Sequence, residues 1–458
     1  MNYNLNIKEK IGYSFGDFAS SMFWKIFAMY LTFFYTDVVE LSPESVALMF
    51  VLVRLWDGLN DPIMGVIADR TNTSQGKFRP YLLWVAVPFG IIGILTFTTW
   101  NFGPSGKLIY AYITYTLMMM VYTAINVPYG SLMAVMTDDM KERTTLASFR
   151  FIGAYSGGIF MTASAPYILD YFKSSGANTS SSYQYMVMIY AVVAAFFFVM
   201  TYLWTKERLK PIAEKNSVWN DLKDLLKNHQ WFIMLGVGIL MLIFNTFRDS
   251  SIMYYFKYFI QDQTVPLFGD VKWDKLAGAY MTVWLATNMI GVILAKPISN
   301  KLGKKATYLI SMFCAAAFSI VLYVLQPQQI SLIFLLNVFI GITAGIVLPL
   351  NWSMYADIAD YSELKTGRRA TGLIFSSSSM SQKLGLTIGG AIPLYILASY
   401  GFQANAEQSV ESLKGIRLMI SIYPGIAAFL SGALLLLYKL SDSYMAKINA
   451  ELNEKRKA

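Results

Sequence analysis

Twelve apolar runs punctuate the chain, centred near residues 24, 56, 90, 120, 160, 193, 243, 285, 315, 342, 385 and 428. A bilayer-crossing helix needs about 20 mostly apolar residues. Helices and closed barrels alone can cross, because lipid offers no partner to a backbone amide. The second, fourth, seventh and eleventh runs are interrupted by charged or amide residues, which predicts low hydropathy for those four. The longest polar connection, Lys206 to Gln230, divides the runs six and six. The pattern therefore predicts an all-α polytopic membrane protein of twelve transmembrane helices. One six-helix bundle spans 1–205, a cytoplasmic middle loop 206–230, a second bundle 231–440 and a cytoplasmic tail 441–458.

Composition agrees with this reading. Residues of the set AVILMFWYC make up 55% of the 458, and only 14% are charged, against about a quarter in soluble domains. One cysteine, Cys314, excludes a disulfide framework, and one histidine, His229, excludes a histidine-built metal site. No cofactor is expected, and no metal beyond a transported Na⁺. The net charge of +9 does not signal nucleic acid, because the excess sits in short loops. Loops after even-numbered runs hold 17 Lys and Arg, those after odd-numbered runs about seven. The positive-inside rule then puts both termini in the cytoplasm. The segment from Met1 to Lys10 is too polar for a cleaved signal peptide.

The halves echo each other. Run four ends Val127-Pro128-Tyr129 before Asp138-Asp139-Met140-Lys141-Glu142-Arg143, and run ten ends Leu348-Pro349-Leu350 before Asp357-Ile358-Ala359-Asp360 and Arg368-Arg369. Repeated six-helix halves around a central cavity describe the major facilitator architecture.

Several ionisable residues lie inside the runs, where charge is costly and faces an internal cavity. Asp57 and Asp61 are four apart and share one helix face. Two like charges there require a proton or a shared cation, and an all-oxygen site suits a hard cation such as Na⁺. The simpler alternative pairs Asp57 with Arg54, one turn back. Asp17, Arg150 and Lys383 come from three runs, and carboxylate, guanidinium and ammonium together grip hydroxyl-rich ligands. Trp24 lies seven residues after Asp17, on the same face, and Tyr122, Thr123 and Asn126 form a polar face on run four. The expected substrate-binding set is Asp17, Trp24, Tyr122, Asn126, Arg150 and Lys383. The expected cation-binding set is Asp57, Asp61, Thr123 and Asn126. A cytoplasmic gate is expected from Asp69, Arg70, Asp138, Arg143, Asp360, Glu363 and Arg368. No nucleophile, base and orienter occur together, so an enzyme is not expected.

These residues sit in longer motifs. They include Gly16-Asp17-Phe18, Trp56-Asp57-Gly58-Leu59-Asn60-Asp61-Pro62, Gly76-Lys77-Phe78-Arg79-Pro80, Asn126-Val127-Pro128-Tyr129 and Ala356-Asp357-Ile358-Ala359-Asp360-Tyr361. In these motifs the whole chain resembles the glycoside–pentoside–hexuronide:cation symporter family, the melibiose permease-like branch of the major facilitator superfamily. The resemblance implies symport of a sugar or glycoside with Na⁺, or with H⁺ or Li⁺, across a bacterial inner membrane. It implies cation ligation by Asp57, Asp61 and Thr123, sugar binding by Asp17 and Arg150, and a place for Lys383 near both. Arg248 resembles an arginine of hexuronide carriers, which adds it to the expected substrate-binding set as a holder of a substrate carboxylate, with satisfaction by Asp249 or a nearby carbonyl as the alternative. Two positions depart from the pattern: Asn126 replaces an aspartate of melibiose permeases, and Gly130 replaces a sugar-stacking tryptophan. The partners expected are a small sugar or glycoside, a monovalent cation and the lipid bilayer. Alternatives are a Na⁺-coupled lysophospholipid carrier of the related animal group and a non-transporting sugar receptor. For the animal reading the discriminating feature is the sequon Asn178-Thr179-Ser180.

Overall fold

The structure is a computed structural model and describes residues 5–137, 140–208, 227–265, 269–366 and 371–457. The first half holds α1 (Ile7–Ile26), α2 (Pro43–Arg70), α3 (Arg79–Trp84), α4 (Ala86–Thr96), α5 (Pro104–Met136), α6 (Met140–Ser174) and α7 (Thr179–Trp204). The second holds α8 (His229–Tyr254), a hairpin of β1 (Gln263–Val265) and β2 (Gly269–Val271), α9 (Trp273–Leu302), α10 (Lys304–Leu322), α11 (Ile330–Thr366) and α12 (Thr371–Ser399). It closes with α13 (Val410–Ile420), α14 (Ile422–Leu435) and a tail helix α15 (Asp442–Lys457). The order is consistent with twelve crossings, the third made by α3 with α4 and the twelfth by α13 with α14.

Seven helical runs among the described residues are long and apolar enough to span a bilayer by hydropathy alone. The fourth and seventh crossings are among them, at mean hydropathy 1.5 and 1.8, against the expectation of low scores. Their polar residues are too few to offset the apolar ones around them. The second and eleventh crossings do fall outside the seven.

Helix ends follow local chemistry. Asn6 and Glu9 form a capping box at α1, each side chain bonded to the other's backbone amide. Ser42 caps α2, whose first residue is Pro43. Asn178 caps α7, its Oδ1 accepting from the Ser181 amide at 2.8 Å, so the sequon asparagine serves as a helix cap. Breaks fall next to prolines. Pro88 has no amide for the Trp84 carbonyl, and the helix divides at Val85 between α3 and α4. Pro424 likewise leaves the Ile420 carbonyl without a helical donor, and α13 gives way to α14 at Ser421.

The chain forms two compact units, one of residues 1–213 with 274–282 and 403–407, the other of the remainder. In the first, α1 packs on α6 through two glycines. A Cβ on Gly153 would sit 2.2 Å from the Ser14 carbonyl oxygen, and one on Gly157 2.2 Å from that of Phe18. In the second, α12 meets α8 the same way, with Gly385 against Ile239 and Gly389 against Ile243. Both pairs are four apart, the spacing that brings helix backbones close in lipid. The loop Gly76-Lys77-Phe78-Arg79 is held by Glu207, whose carboxylate accepts the amides of Lys77, Phe78 and Arg79 at 2.8, 2.7 and 2.7 Å. The tail helix buries Met445, Ile448 and Leu452. Asp442 at its start accepts the Lys304 amide at 2.7 Å.

Gly157→Leu is expected to lower the thermal transition of the detergent-solubilised protein, by overpacking that costs about 1–3 kcal/mol. Gly130→Ala, where an added Cβ meets nothing within 4 Å, is expected to leave it unchanged. A fluorescence-detected melting curve checks both.

Candidate functional site

The span-two acids meet a hydroxyl of span four. Thr123 Oγ1 lies 3.0 Å from Asp57 Oδ1 and 2.9 Å from Asp61 Oδ1. Asp57 and Thr123 are buried, and Asp61 is part-exposed. A hydroxyl has one hydrogen to donate, so it serves one carboxylate at a time. Its second contact becomes favourable with a proton on that acid or a cation between the oxygens. The Arg54 guanidinium lies 4.6 Å over the Trp24 ring and makes no ion pair with Asp57 among the described residues. This corrects the alternative that paired the two. The ring face gives the guanidinium an electrostatic partner beside an apolar surface.

A second cluster joins α1, α5 and α6. Arg150 binds Asp17 with both prongs, Nε to Oδ2 at 2.5 Å and an Nη to Oδ1 at 3.2 Å. Such forks are among the strong charge-assisted hydrogen bonds. The Tyr129 hydroxyl reaches Asp17 Oδ2 at 3.1 Å and the Tyr13 carbonyl at 2.6 Å, and the Tyr13 hydroxyl donates back to the Tyr129 carbonyl at 3.3 Å. The guanidinium lies over the Tyr129 ring at 5.1 Å. Gly16 makes room for this ring, since a Cβ there would come 2.3 Å from it. Tyr13 and Tyr129 are absent from the expected site set, although Gly16 before Asp17 and Tyr129 after Pro128 both stand in the motifs.

Tyr122, one residue before Thr123 on α5, packs beside Trp24 of α1. Its ring centre is 5.3 Å from that of Trp24. Asn126 donates its amide to the Tyr122 carbonyl at 3.0 Å, which leaves its Oδ1 as the end available to a ligand. The Nδ2 of Asn60, a motif residue outside the expected set, is buried without a partner among the described residues.

Two expected substrate residues belong to the second unit. Lys383 is part-buried on α12. Arg248 is 3% exposed. It donates to Asn337 Oδ1 at 3.0 Å and to the Ile420 carbonyl at 3.4 Å, with the Trp284 ring 4.9 Å away. It therefore serves the carbonyl that Pro424 orphans. The contact is the nearby-carbonyl one that the sequence offered as the alternative to a substrate carboxylate.

Of the gate residues, Arg70 is exposed, and Asp360 and Glu363 are part-buried on α11. Asp138, Arg368 and the side chains of Asp69 and Arg143 lie outside the described residues. Other pairs tie the helix ends: Lys10 with Glu142 at 2.8 Å, Arg208 with Glu9 at 2.6 Å, and Lys304 with Asp357.

Solved transporters share this fold. A bacterial homologue of the human drug peptide transporters PepT1 and PepT2 aligns at a TM-score of 0.68 with 12% identity, over 94% of this chain and 98% of that one. The nucleoside transporter NupG aligns at 0.61 with 15% identity, over 94% and 100%. The likeness to these solved transporters shows the fold that this chain shares with them. The MFS/sugar transport protein profile matches residues 12–442, and the chain belongs to that family. It is 33% identical to the putative glycoside/cation symporter YagG of Escherichia coli (strain K12), over 99% of this chain and 96% of that protein. It is 32% identical to the isoprimeverose transporter of Lactiplantibacillus pentosus, over 98% and 91%.

Tyr129→Phe removes the hydroxyl that bridges Asp17 and the Tyr13 carbonyl. A buried hydrogen bond contributes about 1 kcal/mol, more to a charged group, so the thermal transition is expected to fall. Tyr13→Phe, which loses one longer bond, is expected to lower it less.

Proposed function

We propose that the protein couples uptake of a sugar or glycoside to a monovalent cation, Na⁺, by alternating access. The observation that carries the coupling is the single Thr123 hydroxyl set against two carboxylates. A Na⁺ ion engages both acids and the hydroxyl oxygen at once, and so gives the second acid a use that a single proton would not. Asn126 adds a neutral oxygen in place of a third charge, so one Na⁺ leaves the set at −1. On this reading Asp17 accepts hydrogen bonds from sugar hydroxyls, Arg150 donates them, and Trp24 with Tyr122 covers the apolar face of the ring. The burial of Arg248 supports a neutral substrate over a hexuronide. The excess of Lys and Arg in even-numbered loops supports an orientation with both termini inside. A reporter fused after Ala458 that fluoresces only in the cytoplasm tests this topology, and a dark fusion with full-length protein reverses it.

The test of coupling is uptake of a panel of labelled neutral sugars and uronic acids into proteoliposomes, at fixed pH, with and without a Na⁺ gradient. Na⁺ is expected to drive uptake of a neutral sugar. Thr123→Val, Asp57→Asn and Asp61→Asn are each expected to raise the Na⁺ concentration for half-maximal uptake by about tenfold or more, since the first removes a ligand oxygen and the others a ligand's charge, each worth at least ~1.4 kcal/mol. Uptake that ignores Na⁺ and follows a pH gradient would replace Na⁺ by H⁺. Binding without counterflow would make the protein a receptor.

Asp17→Ala is expected to weaken sugar binding by about tenfold or more, because it leaves Arg150 without the carboxylate that balances it. Na⁺ binding should persist in that variant. Sugar affinity near that of the wild type would remove Asp17 from the substrate site.

A further inference from the structure

Three helix termini of the second unit meet around one cavity: the start of α8, the end of α11 and the end of α14. The cavity measures about 860 Å³. Its wall carries Lys227, His229, Lys305, Lys365 and Lys439, and no Asp or Glu among the described residues. Such a concentration of one charge sign sets up a field that draws an anion.

The wall is built rather than fortuitous. Lys305 Nζ donates to the carbonyls of Leu436 and Tyr438 at 2.9 and 2.6 Å, satisfying groups that the end of α14 leaves without helical partners. The Lys439 amide donates to the buried Gln230 side chain at 2.6 Å, which holds the exit of α14 against the start of α8. Asn228 caps α8 through the amides of Gln230 and Trp231. The ammonium groups of Lys227 and Lys439 make no ion pair among the described residues.

The setting selects the kind of anion. Three apolar crossings, His229–Ile260, Pro327–Lys365 and Val410–Leu435, end at this level. It is therefore the depth at which hydrocarbon gives way to headgroups. Leu436 and Leu437, 56% and 61% exposed, line the same cavity and continue the apolar surface of α14. A soluble anion needs only the charge, whereas a phospholipid also needs an apolar wall for its chains. We propose that this cavity binds the phosphate headgroup of an anionic phospholipid, with the acyl chains along Leu436 and Leu437. Lysine clusters at the ends of membrane helices bind anionic headgroups in this way.

The experiment is native mass spectrometry of the full chain, titrated with phosphatidylglycerol, phosphatidylcholine or inorganic phosphate. Phosphatidylglycerol is expected to bind at least about tenfold more tightly than phosphatidylcholine. Lys439→Gln is expected to weaken it about fivefold, and Lys227→Gln with Lys365→Gln and Lys439→Gln about a hundredfold, from roughly fivefold per lysine near an anionic surface. Lys305 is left intact because it holds the wall, and an unchanged thermal transition shows that the variants fold. Equal binding of the two lipids would overturn the proposal, as would a triple variant that keeps its preference. Tight binding of inorganic phosphate, lost in the triple variant while phosphatidylglycerol binding is not, would assign the cavity to a soluble anion instead.

Discussion

A hydroxyl carries one hydrogen, and Thr123 presents it to two carboxylates. In water the mismatch would be trivial, because solvent would fill the remaining positions. Between α2 and α5 both acids lie within hydrogen-bond reach of one oxygen, and Asp57 is buried. Like charges that close in a low-dielectric setting raise each other's cost. The cost falls when a cation or proton enters. On the proposed reading, a cation bound there is coupled to the conformation that brings Thr123 to the two acids, which is the physical basis of the proposed symport.

The Asp17–Arg150 pair is different in kind. It is self-satisfying: the fork closes both carboxylate oxygens, and the Tyr129 hydroxyl, shared with the Tyr13 carbonyl, reaches one of them. On the proposed reading a sugar competes for bonds that already exist. It gains only where its hydroxyls add bonds without stripping either ion of its counter-charge. Asp17 and Arg150 remain part-exposed, which leaves lone pairs and guanidinium hydrogens for that purpose.

The rest of the fold works to leave no backbone group unpaired in lipid. The broken twelfth crossing shows how. Pro424 frees the Ile420 carbonyl, and Arg248 from α8 takes it, so an arginine that resembles a substrate ligand in the sequence has a structural occupation. Glu207 does the same for three amides at the start of α3. Glycines at a spacing of four bring the first and fifth crossings of each half into contact, and this repeat is clearer in packing than in the motifs.

The sequence by itself determined the class, because a chain that is 55% apolar with twelve runs has few folded forms open to it in a bilayer. It also determined that Asp57 and Asp61 share a face, since helical periodicity suffices for residues four apart. Only the tertiary structure decided which groups answer them. The contact of Thr123 with the pair spans more than 60 residues, and the choice between Arg54 and Thr123 as partner for Asp57 turns on where α5 and the Trp24 ring lie. Arg248 was legible as a charge within an apolar run but not as the partner of a carbonyl 172 residues away. Tyr13 and Tyr129 were lost among 30 tyrosines, because a hydroxyl becomes functional through its neighbours, and neighbours across helices carry no periodic signal in the chain.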